Sequence, residues 1–296
     1  MWQNTIRKSL RLSGTGLHSG RTIQMQIFPA PCDHGIVFVR KDMSGQPRIP
    51  ASIENLSHRM RCTALVYKKA QVYTTEHLLA TCYAMNLDNL IIEVDGPEIP
   101  GMDGSALPFY EALKQAGIQN QDREAQEIVI NQEILLQKKD SVSWQFLLKL
   151  LKIGGKGDIA SLQVLPNPSG LKLEYFLDYS FSGVPRQHFF MDLSEDSFAR
   201  EIAPARTFAL KREMGIGQKL LGLGKGANEQ NTLSLDAKGQ IHGTTLRFPD
   251  EMVRHKLLDL LGDIALVGKR LKAHITGNRS GHSLNALLAR KIQELC

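Results

Sequence analysis

The sequence predicts an α+β fold built from two similar domains, and three observations carry that prediction. Short segments that alternate apolar and polar residues recur through both halves of the 296-residue chain, which is the period of half-buried strands. Two longer segments, Thr75–Asn86 and Phe248–Leu266, place apolar residues at helical spacing, and each carries a histidine. The order also repeats. Each half has strands, a His-bearing helix, a strand (L-I-I-E-V or L-K-A-H-I-T), then a Gly-Ser or Gly-His turn into a last helix. Common elements repeated by chance explain this echo equally well, but two copies packed with their histidine helices facing would create a site at the interface.

The elements follow in order. Arg7–Leu12 and Thr22–Phe28 alternate like strands around the loop S-G-T-G-L-H-S-G, whose glycines permit the positive φ of a tight connection. His18 in that loop reads most simply as a turn histidine with a structural hydrogen bond. Gly35–Arg40 is a strand, and Pro47–Ser57 reads as irregular. Thr63–Tyr67 and Gln71–Thr74 are short strands around Lys68-Lys69-Ala70. The helix after them buries Leu78, Leu79, Cys82 and Met85. Asn89–Val94 is a strand, and Leu107–Ala116 is a helix closed by Gly117. Ile118–Gln126 is polar and aperiodic. It therefore reads as the linker dividing residues 1–122 from 123–296.

Strands are expected next at Ile128–Ile130, Gln145–Ile153, Ala160–Val164, Leu171–Phe176 and Gln187–Met191. Ser194 suits the cap of a short helix reaching Ile202. Met214–Gly243, rich in Gly, Lys and Asn, is assigned only loosely. Pro249 and Asp250-Glu251 favour the start of the long helix, which buries Met252, Val253, Leu257, Leu260, Leu261 and Ile264. A strand at Leu271–Thr276 and a helix over Gly281–Leu295 complete the chain.

Thirty-six basic and thirty acidic residues leave a net charge of +6. That excess suits an anionic small molecule or a lipid headgroup, and no dense basic block with interleaved aromatics points to nucleic acid. Four cysteines without a C-x-x-C pair imply reduced thiols in a cytoplasmic protein. The start M-W-Q-N-T-I-R-K places charges where a signal peptide needs an apolar run. Stable membrane insertion is not expected, although peripheral contact is compatible. A monomer is expected.

The chemistry-bearing residues cluster on the two histidine helices. His255, Asp259 and Asp263 stand four apart, in one row on a helix face. Alone, that row is more simply a solvated polar face. His77 on the other helix changes the reading, because His77, His255 and Asp259 make a three-ligand set of the kind that catalytic zinc uses. Glu76 beside His77 is a carboxylate placed to take a proton from water. His282 is a candidate proton donor if Asp263 orients it, and a helix-capping histidine otherwise. Asp263 is alternatively a further ligand. Thr207 offers a hydroxyl to a developing oxyanion, and Lys256 and Arg279 are cations for an anionic substrate.

Six blocks occur in order: G-L-H-S-G (Gly16–Gly20), T-E-H-L-L-A (Thr75–Ala80), E-I-P-G-M-D-G-S-A (Glu98–Ala106), A-R-T-F (Ala205–Phe208), L-R-F-P-D-E-M-V-R-H-K-L-L-D-L-L-G-D (Leu246–Asp263) and S-G-H-S-L-N (Ser280–Asn285). Together they resemble the UDP-3-O-acyl-N-acetylglucosamine deacetylases, zinc amidases of lipid A biosynthesis. The resemblance implies helices layered on a sheet in each domain, with the metal between the domains. It implies His77, His255 and Asp259 as ligands, Glu76 as base, His282 as acid paired with Asp263, and Thr207 supporting the oxyanion. Lys256 and Arg279 would meet the UDP diphosphate, and Phe208 would line the sugar and acyl region. An insert at about 209–241 would form an apolar passage for the acyl chain, with Leu210, Met214, Ile216, Leu220, Leu221 and Leu223 as candidate walls. This insert and residues 127–168 depart from the family pattern.

Two other readings share the same residues. Two histidines and a carboxylate also describe non-haem Fe(II) oxygenases, and Fe2+ suits the proposed ligands as Zn2+ does. Those oxygenase ligands usually ride on a barrel-like scaffold, whereas these lie on helices. A catalytically inactive UDP-acyl-sugar-binding protein is the other reading, which intact Glu76 and His282 disfavour.

Overall fold

The computed structural model describes residues 1–57, 61–138, 159–178, 184–211, 224–236 and 238–295. The strand expected at Gln145–Ile153 lies outside these residues, as do Met214, Ile216, Leu220, Leu221 and Leu223. The first half runs β1 (Trp2–Ile6), β2 (Leu10–Thr15), β3 (Thr22–Pro29), β4 (Ile36–Arg40), β5 (Arg48–Pro50), β6 (Leu56–Ser57), β7 (Ala64–Tyr67), β8 (Ala70–Tyr73), α1 (Glu76–Ala84), β9 (Leu90–Val94), α2 (Leu107–Ala116) and β10 (Ile118–Glu124). The second runs β11 (Glu127–Val129), β12 (Ile134–Lys138), β13 (Ala160–Pro166), β14 (Leu171–Leu177), β15 (Gln187–Asp192), β16 (Phe208–Leu210), β17 (Leu233–Leu235), β18 (Ile241–His242), α3 (Glu251–Ile264), β19 (Arg270–Asn278) and α4 (His282–Gln293). This is an α+β chain, as expected.

Both halves are built on the same sheet. The strand order is β2-β3-β9-β4-β5 in the first and β12-β13-β19-β14-β15 in the second. The central strand of each lies antiparallel to one neighbour (β3 or β13) and parallel to the other (β4 or β14). A parallel pair needs a crossover, and the crossovers contain α1 and α3. On β14 and β19 the residues alternate between buried and more exposed, so one sheet face packs inward. β11 adds a parallel strand to β19. We propose two domains close to the expected 1–122 and 123–296, with the division falling just after β10 at Glu124.

Two expectations need correction. Ile118–Gln126 is not a linker: β10 pairs antiparallel with β1, Ile6 opposite Ile118 and Trp2 opposite Glu124. β10 buries none of its side chains fully, so its backbone pairing leaves no apolar alternation to read. Pro47–Ser57 is not irregular: it contains β5, a 3-10 turn at Ile53–Asn55 and β6, all shorter than a period can reveal. β2 also starts later than Arg7 and runs into the glycine loop as far as Thr15. Ser194 does cap its turn, accepting from the Ser197 N–H, and a π-type turn continues over Phe198–Ile202.

The central helices are buried on almost every side. All of α1 is buried except Tyr83, and all of α3 except Arg254. They pack against each other through Gly262, where a Cβ would lie 2.2 Å from the Glu76 carbonyl oxygen. Glycine in a helix interior costs about 1 kcal/mol relative to alanine, and here its bare backbone is what lets α3 approach the first turn of α1. The halves also meet where the Lys225 and Gly226 N–H groups donate to the carbonyls of His18 and Leu17. The His18 ring accepts the Gly224 N–H at 3.3 Å, a structural bond from its loop to the second half. No helix among the described residues is long and apolar enough to cross a membrane.

Candidate active site

The hairpin β7–β8 delivers the first two functional side chains. Thr74 turns the chain from β8 into α1 at φ 62, a conformation that is strained for a β-branched residue. Its hydroxyl donates to Glu98 Oε1 at 3.0 Å, which helps hold the turn. Glu76 and His77 then open α1, each 3% exposed. Glu76 Oε2 accepts the Thr63 backbone N–H at 2.9 Å. Burial pushes the Glu76 carboxyl up to about 8, with the His282 charge pulling it the other way. Such a group exchanges protons near neutrality.

The helical rise of α3 stacks His255, Asp259 and Asp263 one turn apart. His255 Nδ1 lies 3.0 Å from the Ala205 carbonyl oxygen. A carbonyl only accepts, so Nδ1 carries the proton and Nε2 is left free, 3.4 Å from Asp259 Oδ1. Ala205 is itself fixed by its neighbour, because Arg206 pairs with buried Glu251 at 2.9 Å. The His77 and His255 rings meet edge to face with centroids 4.9 Å apart. Ligating atoms of His77, His255 and Asp259 all lie within 4.8 Å of one another.

The electrostatics fit a cation at that cluster. Burial and the neighbouring His255 push the His77 imidazole down to about 3, and burial lowers His255 as well. Both rings are therefore neutral, the form that ligates. Burial by itself would raise Asp259, but Lys256 and His255 hold it well below the usual carboxylate range. Lys256 Nζ donates to its Oδ2 at 2.7 Å. Two neutral imidazoles and an anionic carboxylate are a donor set for a divalent metal such as zinc.

A third histidine, held in its protonated form, stands beside it. His282 opens α4, with Nδ1 2.8 Å from Asp263 Oδ2. Burial opposes protonation, but the Asp263 carboxylate outweighs it and raises the imidazole to about 9. Asn285 Nδ2 donates to the same oxygen at 2.8 Å, and the Thr63 hydroxyl donates to Asp263 Oδ1. Glu76, Asp259 and His282 also offer atoms within 4.8 Å of one another. Asp259 thus belongs to both groups.

The remaining expected residues surround this centre at different depths. The Phe208 ring lies 6.3 Å from that of His255. Thr207 is fixed through its backbone, which donates to Gly104 and accepts from Leu233, both at 2.8 Å. Lys256 turns inward to Asp259. Arg279 Nη1 lies 3.9 Å from Asp178 Oδ2. Leu210 is buried in the core. Thr63 and Asn285 were not anticipated from sequence. Asn285 stands three residues after His282 on one helix, a spacing that brings side chains together. Nothing local in the sequence marks Thr63.

Comparison with known proteins shows the family of the chain. The family model described as UDP-3-O-acyl N-acetylglycosamine deacetylase matches residues 3–294. The chain is 36% identical over 290 residues to the UDP-3-O-acyl-N-acetylglucosamine deacetylase of Myxococcus xanthus, covering 98% of this chain and 86% of that protein. It is 34% identical over 293 residues to the enzyme of the same name from Actinobacillus pleuropneumoniae serotype 3, covering 98% and 89%. With that of Shewanella oneidensis it shares 34% over 295 residues, covering 99% and 90%. The chain belongs to the UDP-3-O-acyl-N-acetylglucosamine deacetylase family.

Proposed function

We propose that the protein hydrolyses the N-acetyl group of a UDP-linked, 3-O-acylated N-acetylglucosamine, giving the free amine and acetate in lipid A biosynthesis. The observation that carries this reading is the convergence of Glu76 and His282, from opposite halves, on Asp259. A divalent ion held by His77, His255 and Asp259, most simply Zn2+ with Fe2+ fitting the same donors, supplies Lewis-acid polarisation when bound. Glu76 takes a proton from water as the water oxygen bonds to the acetyl carbon. Thr207 donates a hydrogen bond to the oxyanion that develops. His282, kept protonated by Asp263, gives its proton to the nitrogen as the C–N bond breaks.

Lys256 and Arg279 are the cations we assign to the diphosphate, and Phe208 lines the sugar and acyl region. The segment at about 209–241 is the proposed acyl passage. We place the protein in the cytoplasm as a monomer, in peripheral contact with membrane at most; four cysteines without a C-x-x-C pair suit a reducing compartment.

The test is release of free amine from the UDP-acyl-sugar by purified, metal-analysed protein. Turnover is expected, and its absence from metal-replete protein defeats the proposal. His255→Ala should lower bound metal by elemental analysis, and full metal occupancy in that variant would remove His255 from the ligand set.

A further inference from the structure

The small sheet β6-β7-β8 places one residue against both halves of the proton machinery. Thr63 sits just before β7, whose Ala64 pairs with Tyr73 at the end of β8, and is 1% exposed. Its carbonyl accepts from Thr75, so its backbone is pinned to the turn that launches α1. From there its N–H donates to Glu76 Oε2 at 2.9 Å, while its hydroxyl donates to Asp263 Oδ1. The same hydroxyl lies 3.3 Å from His282 Nδ1. Of the three donors to Asp263 among the described residues, His282 and Asn285 come from α4 and share Oδ2. Among those residues Thr63 alone reaches across from the first half, and it alone holds Oδ1.

We infer that Thr63 is a positioning residue for deacetylation, holding the Asp263 carboxylate in the orientation that aims His282 while fixing Glu76 through its backbone. The inference rests on the hydrolytic reading above. A carboxylate bonded on one oxygen alone is free to rotate about its Cβ–Cγ bond, and the imidazole it orients then loses its direction. Bonds to charged groups are the strong ones. Losing this one should therefore act on the chemical step and leave binding alone.

Thr63→Val keeps the shape and the backbone N–H but removes the hydroxyl, and Thr63→Ser keeps the hydroxyl. The expected result is that Thr63→Val loses about tenfold to a hundredfold in kcat, with KM and metal content unchanged, while Thr63→Ser turns over like wild type. An independent reading comes from the downfield NMR resonance of the His282 Nδ1 proton, recorded without substrate. It should move in Thr63→Val and stay in Thr63→Ser. If wild type releases no amine, the hydrolytic reading fails and the resonance still decides the hydrogen-bond claim. Unchanged kcat in an active Thr63→Val enzyme, or an unmoved resonance, overturns the inference. So does equal loss in both variants with a lowered Tm, which would make Thr63 a packing residue.

Discussion

The two halves share one sheet design and put it to different chemical use. In each, a buried helix crosses before a central strand and a second helix follows it. α1 carries Glu76 and His77 at its first turn, where the chain has just left a strained Thr74. α3 carries His255, Asp259 and Asp263 along its length, where the helical row is rigid. The helices after the central strands differ as well. α2 begins with Leu107-Pro108, whereas α4 begins with His282, whose Nδ1 meets Asp263. A repeated scaffold has therefore become an asymmetric site. On the proposed mechanism the first half supplies a base and one ligand, and the second supplies two ligands and an oriented acid.

The largest expected effects come from breaking either contribution. Glu76→Ala and His282→Ala should each fold and bind metal, yet lose about 10²–10⁴-fold in kcat. The double variant should fall little below the worse single one, because base and acid act as a unit. Fully multiplied losses would show that the halves work independently. Arg206→Ala comes next. It takes the guanidinium from buried Glu251, which accepts from Arg206 Nε and Nη2 and retains the backbone N–H groups of Arg206 and Arg247, and breaking such a pair costs about 3–5 kcal/mol. Chemical denaturation measures this, and a change under 1 kcal/mol would mean that the second half does not depend on this clamp.

Gly262→Ala addresses the crossing of the two helices. Its methyl group would meet the Glu76 carbonyl, so α1 and α3 must separate, at about 1–3 kcal/mol of overpacking. A lowered Tm together with weaker metal binding is expected; unchanged values of both would mean that the helices do not need their close approach.

The smallest effect concerns pH in the metal-free protein. His282 sits at about 9 when folded, above its ordinary 6.5. It binds its proton more tightly in the folded state. Its stabilising contribution is thus complete below about 6.5 and lost as pH rises through about 9. Thermal melts across that window should decline in the wild type and decline less in His282→Gln. Equal slopes would show that Asp263 does not favour the imidazolium.

The sequence made the chemistry more legible than the framework around it. His77, His255 and Asp259 stand out because ligating side chains on a buried helix break an otherwise apolar pattern, and α2, α3 and α4 announce themselves by period and by caps such as Gly117. β10 was hidden because a strand can pair through its backbone while every side chain faces outward or half outward. Thr63 was hidden for a related reason. Its importance lies in one N–H and one hydroxyl that meet residues 13 and 200 positions away, and no local pattern records such contacts. Lys256 and Arg279 were recognisable as cations, but their direction, inward to Asp259 and across to Asp178, depends on tertiary packing.

The position of His282 at the head of α4 has a consequence for how the protein is made. Synthesis proceeds from the amino end, so Glu76 and the three side chains proposed to hold the metal leave the ribosome before the imidazole that would protonate the amine. A nascent or prematurely terminated copy ending before Gly281 has the grip without the proton donor. On the proposed mechanism, a chain that has not yet delivered α4 lacks the proton donor even where its three ligands are already in place.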